Sequence, residues 1–468
     1  MKEKNEETII KNMVNLDIGF FNNTFITDGY ILNIMETLAQ FVENIWIVDT
    51  HEHLVQENGR VTMEADPLQT FLLQYTSSDL ISAGLKVEDY ATIMNSTIPI
   101  EERWTILEPF WEKASNTGYF DVLRIAANDL YGVDDINEKT IKRLKEKMDE
   151  TNKIGLYKWV LKDKAKIEIA ILDPINDNIE VDRSFFAPVV RLEDFIILRS
   201  REDVRRLSML TQTPIHSLRD LERAIEGRVE SILGQIVGFK IALAYKRSIY
   251  FDNVTSSEAE KVLNKILGSK ETFHRYTRPD GVRVTVSDEI SIEEGKPLQD
   301  YMVHKMIQLA SKYSLPVQVH TGIQEGNLNN PSNSNPVLLA NLFMEYPEVK
   351  FDVFHSAYPY TKEIATLCKN LPNVYVDLCW LHVISPFSAR EVLSDLLDTV
   401  PANKIFGFGG DYKFVEGIYG HSRIARKNII KVLEQKVQEG RFNEERAKKI
   451  ASMILHDNIL EVFKKIRT

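Results

Sequence analysis

Residues 45–54 read IWIVDTHEHL. An apolar run, 45–48, ends in Asp49-Thr50-His51-Glu52-His53. Alternate residues of an extended chain point the same way. His51 and His53 can therefore aim both rings at one point just past a strand end. Two imidazoles at that spacing make half of a metal site. With ten histidines in 468 residues, a chance His-x-His behind an apolar run is uncommon. The competing reading is a pair of solvent histidines on a loop, and the rest of the chain decides between them.

Outward from this stretch, strand-like runs recur at 167–172, 186–191, 235–242, 316–320, 350–355, 374–378 and 404–410. With 45–48 they make eight. The later ones alternate with helical periodicity at 217–233, 298–312, 336–346, 362–370 and 389–399, the pattern of a parallel sheet with crossover helices. Eight such units predict an α/β fold, a (β/α)8 TIM barrel. No Gly-x-Gly-x-x-Gly follows a strand and opens a helix, which argues against a dinucleotide-binding sheet. Between the first two runs, helical spacing at 67–76, 100–113, 119–130 and 138–149 predicts a helical insertion over about 60–164, a cap over a site. A smaller insertion, about 251–295, contains Arg278-Pro279-Asp280-Gly281-Val282, read as a turn between two short strands. Residues 1–44 are expected to be a polar start and an amphipathic helix near 30–43, and 45–468 the barrel.

Composition narrows the class. The net charge is −11, with acids and bases interspersed, so nothing suggests a nucleic-acid surface. No apolar stretch approaches a membrane span, and the charged start MKEKNEETII lacks a signal-peptide core. The two cysteines, Cys368 and Cys379, sit in no Cys-x-x-Cys pattern. A cytoplasmic protein with a small-molecule substrate is expected, with no nucleic acid and no membrane as partners. A homo-oligomer is left open.

Barrel enzymes gather their active groups at the C-terminal ends of the strands. Those ends carry His51 and His53 (first), Lys240 (fourth, VGFKI), His320 (fifth, PVQVHTG), His355 (sixth, FDVFHSAYPY) and Asp411 (eighth, FGFGGDY). Each alone is weak, since a lone histidine after a strand is more often structural. In register at successive strand ends they argue for a site. A nitrogen-rich set with a carboxylate suits zinc, and Asp411 is the natural general base. The alternative for Asp411 is a cap on the following helix, which Gly409-Gly410 would also permit.

These segments, VDTHEH, GFKIALAYKRS, QVHTG with GNLNNPSNSNP, FHSAYPYTKE and GGD, resemble the amidohydrolase superfamily and its amidohydrolase-2 branch. They resemble the amidohydrolase domain that nodulin-type proteins fuse to a glutamine-synthetase-like domain. Uronate isomerases are more distant relatives. The resemblance implies a divalent metal, zinc, as one or two ions on His51, His53, His320 and Asp411. His355 would be a ligand to a second ion or an electrophile beside the substrate. Lys240 would carry a bridging carbamate, bind a substrate anion as an ammonium, or pair with a neighbouring acid outside the chemistry.

For the substrate, Tyr245, Lys246 and Arg247 after the fourth strand could hold an anion. Arg423 could clamp a carboxylate, and Trp380 could line a wall. The reading is a metal-dependent hydrolase of a C–N or ester bond in a small, anionic metabolite. Its rivals are a metal-dependent isomerase or decarboxylase of a carboxylated substrate, and a non-catalytic barrel.

Overall fold

Eight of the expected apolar runs form one parallel sheet. The computed structural model describes residues 36–174, 178–269 and 289–467, with the backbone of the short strands Thr24–Thr27, Tyr30–Asn33, Phe273–Thr277 and Arg283–Ser287. The sheet strands are β1 (Ile47–Glu52), β2 (Ile167–Leu172), β3 (Phe186–Arg191), β4 (Gly238–Ile241), β5 (Val317–Val319), β6 (Phe351–Val353), β7 (Val374–Asp377) and β8 (Ile405–Phe406). They lie side by side in chain order, every pair parallel. Strands in sequential parallel order need a crossover each time; helices supply it except between β2 and β3, where the described residues of 173–185 hold no helix. The last strand is short, so the loop behind it finishes the closure. Thr50 N donates to Phe408 O at 3.2 Å, Asp411 N to His51 O at 2.7 Å and His53 N to Tyr412 O at 3.0 Å. The fold is a (β/α)8 barrel whose seam runs between β1 and residues 408–412. At the opposite end, Ile459, Leu460 and Phe463 pack against Val48, Ala187, Val237 and Phe406.

The first strand runs further than expected. It is paired through Glu52, which faces Leu172 in β2, so His51 lies within the strand and His53 just beyond it. The N-terminal expectation is corrected too. Tyr30–Asn33 is a strand antiparallel to Thr24–Thr27, and the helix is Leu38–Asn44. The cap explains the start: Thr37 accepts from Gln40 N while the Gln40 side chain accepts from Thr37 N.

Helices fill 57–164 between β1 and β2. Asp66 anchors that insertion. Its carboxylate accepts from Leu68 N and Gln69 N at the start of Pro67–Phe71 and is paired, buried, with Arg103 of Ile100–Ala114. In the smaller insertion, Phe273–Thr277 pairs antiparallel with Arg283–Ser287; the expected turn 278–282 lies outside the described residues. Among the described residues no helix is long and apolar enough to cross a membrane.

Arg426, in the helix Val415–Gln438, ties the closing turn to the start of the barrel. It is buried, and its guanidinium donates to Ile45 O at 2.9 Å, Ala165 O at 3.0 Å and Val42 O. Arg426→Ala should lower stability by about 4 kcal/mol or more, because each of its three charged hydrogen bonds contributes roughly 1.5–3 kcal/mol. Urea denaturation reads this directly; an unchanged midpoint would show that the arginine is not a tie.

Candidate metal centre

His53 sets the geometry. Its Nδ1 donates to Asp173 O at 3.0 Å, so Nε2 faces the barrel axis with its lone pair. Around that atom stand His51 Nε2 at 3.2 Å and Asp411 Oδ1 at 3.3 Å, and the latter two are 3.7 Å apart. Ligands held at ~2.0–2.1 Å around a tetrahedral ion lie about 3.3 Å from one another. The three donor atoms are therefore spaced as the face of such a tetrahedron. Burial, with Lys240 and His53 adding to it, holds His51 well below the usual histidine range. A neutral ring is the form that ligates.

Asp411 reaches this position in a left-handed conformation, φ 56°. Hydrogen bonds on either side hold it there. Gly410 N donates to Asp49 Oδ1 at 3.0 Å and Tyr412 N to Glu52 Oε2 at 2.8 Å. A Cβ on Gly410 would lie 1.8 Å from Glu52 Oε1, so only glycine fits there. The following helix starts at Val415 behind Phe414, so Asp411 is not its cap. Burial pushes the Asp411 carboxyl up. The close approach of His53 and the charge of Lys240 outweigh that and hold it below its ordinary value.

The fifth and sixth strand ends form a second pair. His355 Nδ1 donates to Cys379 O at 2.9 Å, and His320 Nε2 donates to Ile323 O at 3.0 Å. Carbonyls only accept, so those nitrogens carry the protons. The other two, His355 Nε2 and His320 Nδ1, then present lone pairs to each other across 3.2 Å. Burial keeps both rings neutral, His320 well below its usual range and His355 down to about 4. Facing lone pairs repel unless a cation lies between them. A backbone carbonyl on the far nitrogen is also the usual support of a metal-binding histidine. Both histidine pairs thus fit a divalent ion. His355 Nε2 is 3.9 Å from Asp411 Oδ2, so Asp411 joins the two pairs. His320 meets His355 and not His51 or His53.

Lys240 projects from β4 into the centre. Its Nζ is 3.4 Å from His51 Nε2 and 3.4 Å from the centroid of Phe354. Among the described residues no carboxylate lies within 4.0 Å of it, so the paired-with-an-acid reading finds no partner. Burial pulls its ammonium down to about 8.

Above these groups opens a cavity of about 410 Å³, lined by both histidine pairs' residues His51, His53 and His320 and by Tyr75, Arg191 and Lys413 among others. Arg191 binds Asp173 in two-pronged fashion, Nε to Oδ2 at 2.8 Å and Nη2 to Oδ2 at 2.5 Å with Nε also 3.1 Å from Oδ1. Lys413 pairs with Glu325 at 3.1 Å. The Tyr245 ring lies 4.7 Å from that of His320.

Three substrate candidates fall elsewhere. Arg247 is buried against Asp300 at 2.7 Å and Gln299 at 2.8 Å, away from the cavity. Arg423 pairs with Glu43 on the outer face of the barrel helices. Trp380 is core, ringed by Tyr75, Tyr119 and Tyr412. His421 is also buried, donating Nδ1 to Gly410 O at 3.1 Å. Asp173 and Arg191 went unread although the strand-end rule reaches both. Glu325 and Lys413 come from loops that no sequence periodicity places, and the helical spacing at 67–76 does not say that Gln74 and Tyr75 face the cavity.

Residues 278–465 match the amidohydrolase family Amidohydro_2. Protein fluG of Emericella nidulans is 28% identical over 229 residues, 48% of this chain and 25% of the fungal protein. The chain thus spans about a quarter of the length of that curated relative. Among solved structures, uronate isomerase from Thermotoga maritima superposes with a TM-score of 0.71 at 16% identity, over 91% of this chain and 96% of that one. Glucuronate isomerase from Caulobacter crescentus gives 0.70 at 15% identity, over 91% and 93%. At such identities the likeness shows the shared barrel. The resemblance to the amidohydrolase superfamily stands over the matched part of the chain.

Arg247→Ala removes one partner of a buried ion pair. It should destabilise the chain by about 3–5 kcal/mol and leave the metal content per folded molecule unchanged. Denaturation with parallel elemental analysis checks both; loss of metal at full stability would return Arg247 to the site.

Proposed function

We propose that this chain, whose second half carries the amidohydrolase family's sequence pattern, is a metal-dependent hydrolase of a C–N or ester bond in a small anionic metabolite. His51, His53 and Asp411 would hold one divalent ion, zinc by donor type. His320 and His355 would hold a second, with a carbamylated Lys240 completing the bridge. The observation that carries the reading is the three-atom set His51 Nε2, His53 Nε2 and Asp411 Oδ1 at tetrahedral spacing. When bound, a divalent ion polarises a carbonyl and acidifies water enough to act near neutral pH.

The chain's own groups then divide the work. Asp411, ionised, can take a proton at Oδ2 and return it to the leaving group. His53 and His355 flank that carboxylate and hold its charge in place. Arg191 and Lys413, both at the cavity wall, suit a substrate carboxylate. Tyr245 would form the wall over His320. The cavity volume limits the substrate to a small molecule. The free, buried Cys368 and Cys379 suit a reducing compartment such as the cytoplasm.

A second reading, isomerisation or decarboxylation of a carboxylated substrate, is favoured by the cations at the cavity wall. Labelled water separates the two. In ¹⁸O water a hydrolase incorporates solvent oxygen into its product, whereas an isomerase interconverts uronates without it.

The purified protein should contain one or two divalent ions per chain, and chelation should abolish turnover in a screen of small amides, lactones and uronic acids. The double variant His51→Ala/His53→Ala should lose the ion that Asp411 shares. Full occupancy in that variant would remove the central claim. Asp411→Asn should reduce kcat by about 10²–10⁴-fold in a folded protein; activity within tenfold of the parent would mean another group is the base. Two ions in the parent and one or none in Lys240→Ala would support the bridged form.

A further inference from the structure

We infer that Gln74, from the helical insertion, is the positioning residue that sets the direction of Asp411. The inference rests on the reading of Asp411 given above. Gln74 lies between the helices Pro67–Phe71 and Tyr75–Ser82, almost fully buried. Its backbone is held at φ 57°, ψ −134°, a conformation that a non-glycine residue keeps only when its surroundings fix it. The fixing bonds are local: Gln74 O accepts from Ser77 N at 3.1 Å and from Ser77 Oγ at 2.7 Å.

The side-chain amide points at the seam. Nε2 donates to Asp411 O at 2.9 Å, and Oε1 accepts from Lys413 N at 3.0 Å. One amide thus pairs with alternate residues of the loop, as a neighbouring strand would. Asp411 N is already bound to His51 O. With its carbonyl bound to Gln74, both peptide planes at the Asp411 α-carbon are pinned. That fixes the left-handed conformation and the line from Cα to Cβ, and hence the 3.3 Å approach of Oδ1 to His53 Nε2.

Of the other ties on this loop named above, Asp49, Thr50, His51 and Glu52 belong to β1, His53 lies just beyond it and His421 belongs to the helix Val415–Gln438. Gln74 alone among them belongs to the insertion. Tyr75, the next residue, lines the cavity. The insertion therefore meets the loop and the substrate space with two adjacent residues. An amide carries no titratable proton, so the role of Gln74 is geometric and not acid–base.

Gln74→Met keeps the length and bulk of the side chain and removes both hydrogen bonds. Three measurements on the full chain test the inference. The Lys413 amide should exchange with solvent at least about tenfold faster. Zinc should bind about tenfold more weakly, because one of its proposed ligands is no longer pre-set. On the best substrate from the screen, kcat should fall by about 10–100-fold with KM within about threefold, the pattern of a misplaced group. Faster exchange with unchanged zinc affinity and kcat would overturn the inference, leaving Gln74 a structural tie. Gln74→Glu keeps the acceptor for Lys413 N and loses the donor to Asp411 O. There the amide should stay slow while kcat falls; unchanged kcat would also overturn it. Should the parent show no turnover at all, the hydrolase reading fails, and the exchange and zinc measurements still decide the role of Gln74.

Discussion

The whole arrangement depends on how the barrel closes. Seven strand junctions are ordinary parallel ladders, but the eighth is made by a loop. Residues 408–412 lie along β1 and exchange backbone hydrogen bonds with Thr50, His51 and His53. The same few residues that seal the sheet carry Asp411. Ligand geometry and barrel closure are therefore one set of bonds. A change that loosens the seam loosens the donor set with it. The left-handed conformation at Asp411 costs energy on its own, of order 1–3 kcal/mol, and the seam offsets it.

Beneath the site lies a floor of buried acids. Asp49, Glu52, Asp352 and Asp377 are all fully enclosed. Burial pushes Asp49 up to about 6 and Asp352 up to about 7, and pushes Glu52 and Asp377 well above the carboxylate range. Asp49 lies beside Glu52, and Asp352 beside Asp377, and after burial the neighbouring carboxylate is what pushes Glu52 and Asp377 up. Their oxygens accept from backbone amides of Gly410, Tyr412 and Cys379 and from Gln318. These carboxyls act as fixed acceptors that hold loops. They complement His51, His320 and His355 above them, which burial keeps neutral.

Much of this was legible in the sequence. The eight strands and the histidines at their ends follow from apolar runs and from the alternation of residues in an extended chain. The helical stretch after His53 follows from its spacing. Other features were not readable, for physical reasons. Tyr30–Asn33 forms a strand because another strand lies beside it, which no local pattern announces. Arg247 and Arg423 looked like anion clamps because position along a strand says nothing about a partner such as Asp300 or Glu43. Trp380 follows a strand end yet turns into an aromatic core. Gln74 and Lys413 reach the cavity only through tertiary packing. Asp173 and Arg191 were within reach, since each stands at the end of its own strand.

The seam joins residues very far apart along the chain; Asp49 and Gly410 are 361 positions from one another. On a ribosome, His51 and His53 emerge long before Asp411, and at ~5–20 residues per second roughly 20–70 s pass before Asp411 follows. No nascent chain shorter than this can present the three donors together. The two histidines must wait in an open sheet with one edge unpaired. The capacity to hold an ion thus arrives as a single late event, when the last turn of the barrel docks on the first strand. Contacts of such long sequence separation are also the slowest to form from the unfolded state. Metal capture is then a report on completed folding, and an ion bound there locks the edge that was last to be covered.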